Sequence, residues 1–172
     1  IEESVGEKNI AELIFVCTHN SRRSHLGQVW ASIMAEEFGI PGVKTFSGGT
    51  EATACHPNTL AALTAQGVNV KTGEGDNPLQ TLSWGTENEA LCWSKIYNDA
   101  KNPQEDFCAI MTCGSADKGC PIIAGCELRV PCTYVDPKAS DGTPEQDATY
   151  QERSLQIASE MAWVMQRVDI QS

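Results

Sequence analysis

Cys17 and Arg23 bracket the run Cys17-Thr18-His19-Asn20-Ser21-Arg22-Arg23-Ser24, a Cys-x5-Arg spacing. A thiolate is a strong nucleophile, and a guanidinium presents a planar fork that matches two oxygens of a tetrahedral anion. With eight cysteines and five arginines in the chain, the spacing alone is a common coincidence. Its setting gives it meaning. It follows the apolar run Leu13-Ile14-Phe15-Val16 and precedes Leu26, Val29, Trp30, Ile33 and Met34, which repeat at helical spacing. A strand-to-helix turn is where an α/β sheet binds its ligands. The helix start offers unpaired N–H groups and a positive dipole end, and successive loop N–H groups form a nest for an anion. The same field favours the thiolate of a cysteine at the loop's mouth. The competing reading of Cys17 is a buried structural cysteine.

Within the loop, Ser24 is placed to hydrogen-bond the thiolate, and Asn20 to pin the backbone through its side chain. A cation at a helix N-terminus is electrostatically unfavourable unless an anion offsets it, so Arg23 argues for a bound oxyanion. Thr18, His19, Asn20, Ser21, Arg22, Arg23 and Ser24 form the candidate oxyanion-binding set. Arg22 is expected to face solvent, and His19 to act more as loop filler than as a site-lining group.

Two further segments carry chemistry. Cys113-Gly114-Ser115-Ala116-Asp117-Lys118-Gly119-Cys120-Pro121 follows the apolar run Phe107–Met111, which places it at the same sheet edge as Cys17. Gly114 and Gly119 permit a mobile loop. A thiol there that reaches Cys17 would attack an adduct on its sulfur, and the other would carry the resulting disulfide onward. The alternative is a pair of unrelated reduced cysteines. Val135-Asp136-Pro137, by itself, reads as a turn.

The elements that must hold these groups follow the order strand, helix, strand, helix. Val43 to Ser47 is a second strand, Pro57 opens a helix running through Leu63 and Thr64, and Gly67 caps it. That order predicts right-handed parallel units in an α/β domain. Lys71 to Asp106 is rich in Gly, Asn, Asp and Glu. It predicts a hairpin-like excursion with strands at Leu79–Trp84 and Ala90–Tyr97 and a turn over Gly85 to Glu89. Phe107–Met111 and Leu128–Val135 are further strands. Glu145 to Val168 is one long helix with stripes Leu155, Ala158, Ala162, Met165 and Ile157, Met161, Val164, Val168.

The 172 residues suit a single domain, 1–172, with one core. A formal net charge of −11 argues against nucleic-acid and membrane partners, while a small anion remains compatible with a locally positive site. No apolar run approaches the ~18–20 residues of a membrane span, and Ile1 to Asn9 does not read as a secretory signal. A disulfide scaffold is disfavoured because cysteine stays below the ~8–10% typical of one. Zinc is disfavoured because Cys113, Cys120, Cys126 and Cys132 contain no Cys-x-x-Cys pair. Reduced cysteines in a cytoplasmic protein fit better, with some of Cys55, Cys92, Cys108, Cys126 and Cys132 as core filler. No metal or cofactor is expected.

The run Phe15 to Ser24 resembles the P-loop of low-molecular-weight protein tyrosine phosphatases and of the related thioredoxin-coupled arsenate reductases. Ser47-Gly48-Gly49-Thr50-Glu51 is similar to the segment after the family's second strand, and the resemblance covers most of the chain, with 71–106 as an insertion. It implies a small four-stranded parallel sheet flanked by helices. It further implies that Cys17 is the nucleophile with Arg23 as its anion fork, and that Asp136, in the family's Asp-Pro loop, is the general acid for a leaving group. Cys113 and Cys120 resemble the redox segment of the reductases. Three positions depart from the pattern. Arg22 stands where the reductases commonly have a cysteine, His19 where the family usually has glycine, and Gln28 where a carboxylate of a potassium site is expected beside Asn20 and Ser47; no ion is predicted. The resemblance points first to arsenate reduction by a Cys17/Cys113/Cys120 relay, with thioredoxin as reductant. A second expectation is phosphomonoester hydrolysis through a phosphocysteine. Lys138-Ala139, in place of the aromatic pair that often stacks on phosphotyrosine, leans toward a small inorganic substrate. A third possibility is an oxyanion-binding or redox-sensing module without turnover.

Overall fold

A computed structural model describes residues 1–85, 88–119 and 122–169. Its centre is a four-stranded parallel sheet in the order β2-β1-β6-β7, formed by β1 (Ala11–Cys17), β2 (Val43–Gly49), β6 (Phe107–Met111) and β7 (Cys126–Pro131). The apolar run in β1 has no polar face because both faces are covered. Leu13 and Phe15 enter one core cluster with α2 (Arg23–Glu37) and α5 (Gln146–Met165). Ile14, Val16 and Cys17 enter a second cluster with Phe107, Ala109, Met111, Cys113 and Ala116 on the other face. This is the burial expected of a central parallel strand.

Helix α3 (Pro57–Ala65) opens as its sequence suggests, with proline in the first turn and the His56 ring nitrogen accepting the Asn58 N–H at 3.3 Å. Gly67, at φ 93°, takes the left-handed conformation that a residue with a Cβ resists. Trp30 on α2 donates its indole N–H to Ser154 on α5 at 2.8 Å, which fixes these helices against each other beneath the loop.

Glu2–Lys8 forms a helix, α1, with Val5 as its buried residue, where the sequence supplied no expectation. Several expectations are corrected. Gly114–Gly119 is a short helix, α4, rather than an open loop; Asp117 pairs with Arg129 at 2.7 Å and the Ala116 N–H turns to the Cys113 sulfur at 3.3 Å. The buried face of α5 is Tyr150, Ser154, Ile157, Ala158, Met161 and Met165, and Leu155 is exposed. Strand β7 ends at Pro131, ahead of the predicted Val135.

The excursion is more than a hairpin. Strands β3 (Asn69–Thr72), β4 (Gln80–Trp84) and β5 (Asn88–Cys92) form an antiparallel sheet in that order. The turn expected over 85–89 lies partly outside the described residues. Leu82 and Cys92, both fully buried, extend the first core cluster, and Trp84 ties to Glu36 of α2 at 2.8 Å. Strand β5 stops at Cys92, short of the expected Tyr97. The chain beyond it returns to the main sheet, where Ile96 bridges Gly49 in parallel.

Candidate active site

Cys17 is the last residue of β1, and Arg23 the first of α2. The loop between them is held from outside by its carbonyl groups. The Cys17 carbonyl accepts from the Thr50 N–H at 3.1 Å, that of Thr18 from the Glu51 N–H at 2.8 Å, and that of Ser21 from the His56 N–H at 2.9 Å. The His19 carbonyl accepts from the Ser94 hydroxyl at 2.9 Å and the Thr53 hydroxyl at 3.1 Å. In a trans peptide the next N–H points opposite to the carbonyl, and none of the described peptides is cis. The amides of Thr18, His19, Asn20 and Arg22 are therefore turned away from that wall, as an anion nest requires.

Asn20 adopts φ 45°, a left-handed conformation that asparagine tolerates better than most residues with a Cβ. Its carbonyl oxygen accepts the Lys95 N–H at 2.9 Å, and its amide donates to the Ser24 hydroxyl oxygen at 2.9 Å. With that oxygen already accepting, the Ser24 hydrogen is free for the Cys17 sulfur, 3.1 Å away. Asn20 and Ser24 are fully buried. Gly49 makes the arrangement possible, since a Cβ there would collide with Asn20 N and Thr18 O.

The Arg23 side chain points along the mouth. It donates to the Tyr134 carbonyl at 2.9 Å and to Asp136 at 2.5 Å, and its Nε is buried without a partner. A bound oxyanion is the natural acceptor for that nitrogen. Asp136 caps the 3-10 turn Pro137–Ser140 by accepting the Lys138 N–H at 3.1 Å. Cys113, 1% exposed, lies beside the loop: its sulfur is 3.4 Å from the Thr18 hydroxyl, on the residue next to Cys17. Cys120 lies outside the described residues.

Arg22 departs most from expectation. It faces inward, giving its Nε to Tyr150 at 2.6 Å and its Nη2 to Asp141 at 2.9 Å. His19 is exposed and approaches Glu51 at 3.6 Å, at the rim of the loop, and Ser21 is buried within it. Sequence reasoning missed Ser94, Lys95, Asp141 and Tyr150, none of which belongs to a recognisable local motif.

Behind the loop, Lys95 is buried and its ammonium rests 4.1 Å over the Trp93 ring; burial pulls its pKa down. Asn20 is already bonded to Ser24 and Lys95, Ser47 lies 3.2 Å from the His25 ring, and Gln28 bonds Leu91 and Cys92. These side chains do not fit a potassium site. Among the described residues, no group of three or more His, Cys, Asp or Glu is arranged to hold a metal, and no helix is long and apolar enough to cross a membrane. Burial pushes the Cys55 thiol well up, with Cys92 and Cys17 adding to the effect, and Cys92 is pushed up by burial to about 12. Both are held as neutral thiols.

No family model matches the chain. An arsenate reductase of Bacillus subtilis is 25% identical over 142 residues, covering 82% of this chain and 84% of that protein. The structure of an arsenate reductase from Archaeoglobus fulgidus superposes with a TM-score of 0.60 at 16% identity, over 89% of this chain and 98% of that one. A low-molecular-weight phosphotyrosine phosphatase from Vibrio cholerae gives 0.58 at 14% identity, over 90% and 94%. The fold is that shared by these two groups of proteins.

Proposed function

From a chain that matches the superfamily of arsenate reductases and low-molecular-weight tyrosine phosphatases in sequence relatives and in fold, we propose a cysteine-dependent oxyanion enzyme that reduces arsenate. The observation that carries the choice is the Cys113 sulfur 3.4 Å from the side chain of Thr18, the neighbour of Cys17. A hydrolase has no use for a second thiol there.

In this reading the Cys17 thiolate attacks arsenic(V), and an arsenic–oxygen bond breaks. Asp136 supplies the proton that lets the oxygen leave as water. Asp136 is engaged by Arg23 at 2.5 Å, and the incoming anion competes with it for that guanidinium, so the anion draws Arg23 away from Asp136 as it binds. The inward amides and Arg23 hold the remaining oxygens. Cys113 then attacks the Cys17 sulfur. The sulfur–arsenic bond breaks, its electron pair stays on arsenic, and arsenite departs as a Cys17–Cys113 disulfide forms. Cys120 attacks Cys113 and releases Cys17, and an external dithiol of the thioredoxin type reduces the Cys113–Cys120 disulfide in a reducing, cytoplasmic compartment. Six residues with glycine at both ends make a weak helix, which suits α4 to yield as the disulfide moves on from Cys113.

Asp136 at the mouth also supports a second reading, hydrolysis of an aryl phosphate through a phosphocysteine. One paired assay separates the two: arsenate-dependent NADPH consumption with thioredoxin and its reductase, and p-nitrophenyl phosphate hydrolysis on the same sample. Cys17→Ser is expected to abolish both. Cys113→Ser is expected to abolish arsenate reduction altogether, leaving at most an unreduced adduct on Cys17, and to spare hydrolysis. Arsenate turnover that survives Cys113→Ser unchanged sinks the relay. Aryl phosphate hydrolysis that survives Asp136→Ala unchanged removes Asp136 as the acid.

A further inference from the structure

Arg22 and Arg23 are consecutive, yet they reach opposite ends of one short segment. Arg23 pairs with Asp136, the residue before the 3-10 turn Pro137–Ser140, and Arg22 pairs with Asp141, the residue after it. The two fastenings differ in kind. Among the described residues, Arg23 keeps a buried, unpartnered Nε, and its partner Asp136 is bonded otherwise to the Lys138 N–H of its own turn. Arg22 belongs to a closed network. Tyr150 receives the Arg22 Nε–H and donates its own hydroxyl to Asp141 at 2.6 Å. Asn58 approaches the same carboxylate at 3.4 Å, and the His56 Nε2 at 3.8 Å. The His56 ring stacks on Tyr150, with centroids 5.9 Å apart.

Asp141 thus sits where two helices begin, α2 at Arg22 and α3 at His56, and their N-terminal dipoles favour a carboxylate. Although burial works against it, the Tyr150 hydroxyl and the Arg22 guanidinium hold its carboxyl below the ordinary value. The network spans three helices.

We propose that Arg22 and Asp141 are positioning residues: their pair, locked by Tyr150, holds the segment 136–141 in place when a substrate anion draws Arg23 away from Asp136. The proposal rests on the reading of Arg23 as the anion fork. Without the second fastening, anion binding would release the proton donor at the moment it is needed. With it, Asp136 loses its ion pair and keeps its place.

The test is amide hydrogen exchange of residues 138–142 in the wild type, Arg22→Gln, Asp136→Ala and the double variant, without anion and with saturating inorganic phosphate. Asp141→Asn serves as a second probe of the same pair should Arg22→Gln fold poorly. Without anion, each single variant is expected to raise exchange by only a few fold. The double variant is expected to raise it at least about tenfold beyond the product of the singles, because either fastening alone suffices. With phosphate, Arg22→Gln alone is expected to behave like the double variant, while the wild type stays protected. A double variant as protected as the wild type, or an Arg22→Gln segment that phosphate leaves unchanged while calorimetry shows phosphate bound, overturns the proposal. Failure of the wild type to bind phosphate would instead remove the anion reading of the loop, and the anion-free comparison would still decide whether the two fastenings exist.

Discussion

His25 follows Ser24 directly and is fully buried, with its Nδ1 3.2 Å from the Ser47 hydroxyl and its Nε2 without a partner. Burial, reinforced by the positive charge of Lys95, lowers its pKa from 6.5 to about 3. The sign of the consequence is fixed. Between these values the unfolded chain holds a proton that the folded chain refuses, so stability falls as pH drops from 6.5 toward 3. Replacing the imidazole with the neutral amide of His25→Gln is expected to remove this component. Between about pH 6.5 and pH 4.5 the wild type should lose roughly 2 kcal/mol more than the variant, whatever the variant's starting stability. Urea midpoints across that range measure it. Parallel pH curves for the two proteins would clear His25 of the effect. The same burial has a functional side, since a neutral ring leaves Lys95 as the cation behind the loop.

At the scale of elements, the loop is a product of its neighbours. The excursion between β3 and β6 returns along Ser94 and Lys95, and these residues hold the carbonyl of His19 and the side chain of Asn20. Ser94 also accepts the Thr53 N–H at 2.8 Å, so one hydroxyl joins the excursion to the loop at His19 and to the segment after β2 that walls it. Ser94→Ala is expected to cost about 0.5–1.5 kcal/mol, because it removes two part-buried hydrogen bonds, one from the Thr53 N–H and one to the His19 carbonyl. It is also expected to raise the phosphate dissociation constant several fold by loosening the His19 peptide. Chemical denaturation and isothermal titration test the two parts. An unchanged affinity would show that the inward amides are set without the excursion. None of this bracing is legible in the sequence, where the bonded pairs Ser94–His19 and Lys95–Asn20 each lie 75 positions apart and share no motif. What was legible is local. Leu13–Val16 named a buried strand because an apolar cluster covers each of its faces, and Cys17, Asn20 and Ser24 announced a loop because each acts within a few residues of itself. Arg22 was misread because its partners, Asp141 and Tyr150, come from the far end of the chain. Helix α4 was misread because glycines at both ends of six residues suggest a loop, while the Asp117–Arg129 pair that steadies it joins two segments.

Across the whole molecule, charge opposes the proposed substrate. The formal net charge is −11, and the two arginines of the loop are each paired with an aspartate, so little positive field reaches outward from the mouth. Affinity for an oxyanion must then come from donors that act only at contact: the inward amides and the Arg23 fork once Asp136 yields it. Contact donors are screened little by salt, whereas the repulsion of a dianion by the surface is screened strongly, as the Debye length shrinks from about 30 Å at 0.01 M to about 8 Å at 0.15 M. The association rate of phosphate with the wild-type protein is therefore expected to rise, by roughly two- to fivefold, over that range of ionic strength when a weakly binding salt is used. Stopped-flow mixing at constant pH measures it. This is the opposite of the dependence shown by electrostatically steered enzymes, whose rates fall as salt is added. A rate that falls here would mean that Lys95 and the start of α2 project a field strong enough to outweigh the surface, and that the two arginine–aspartate pairs are already open before the anion arrives.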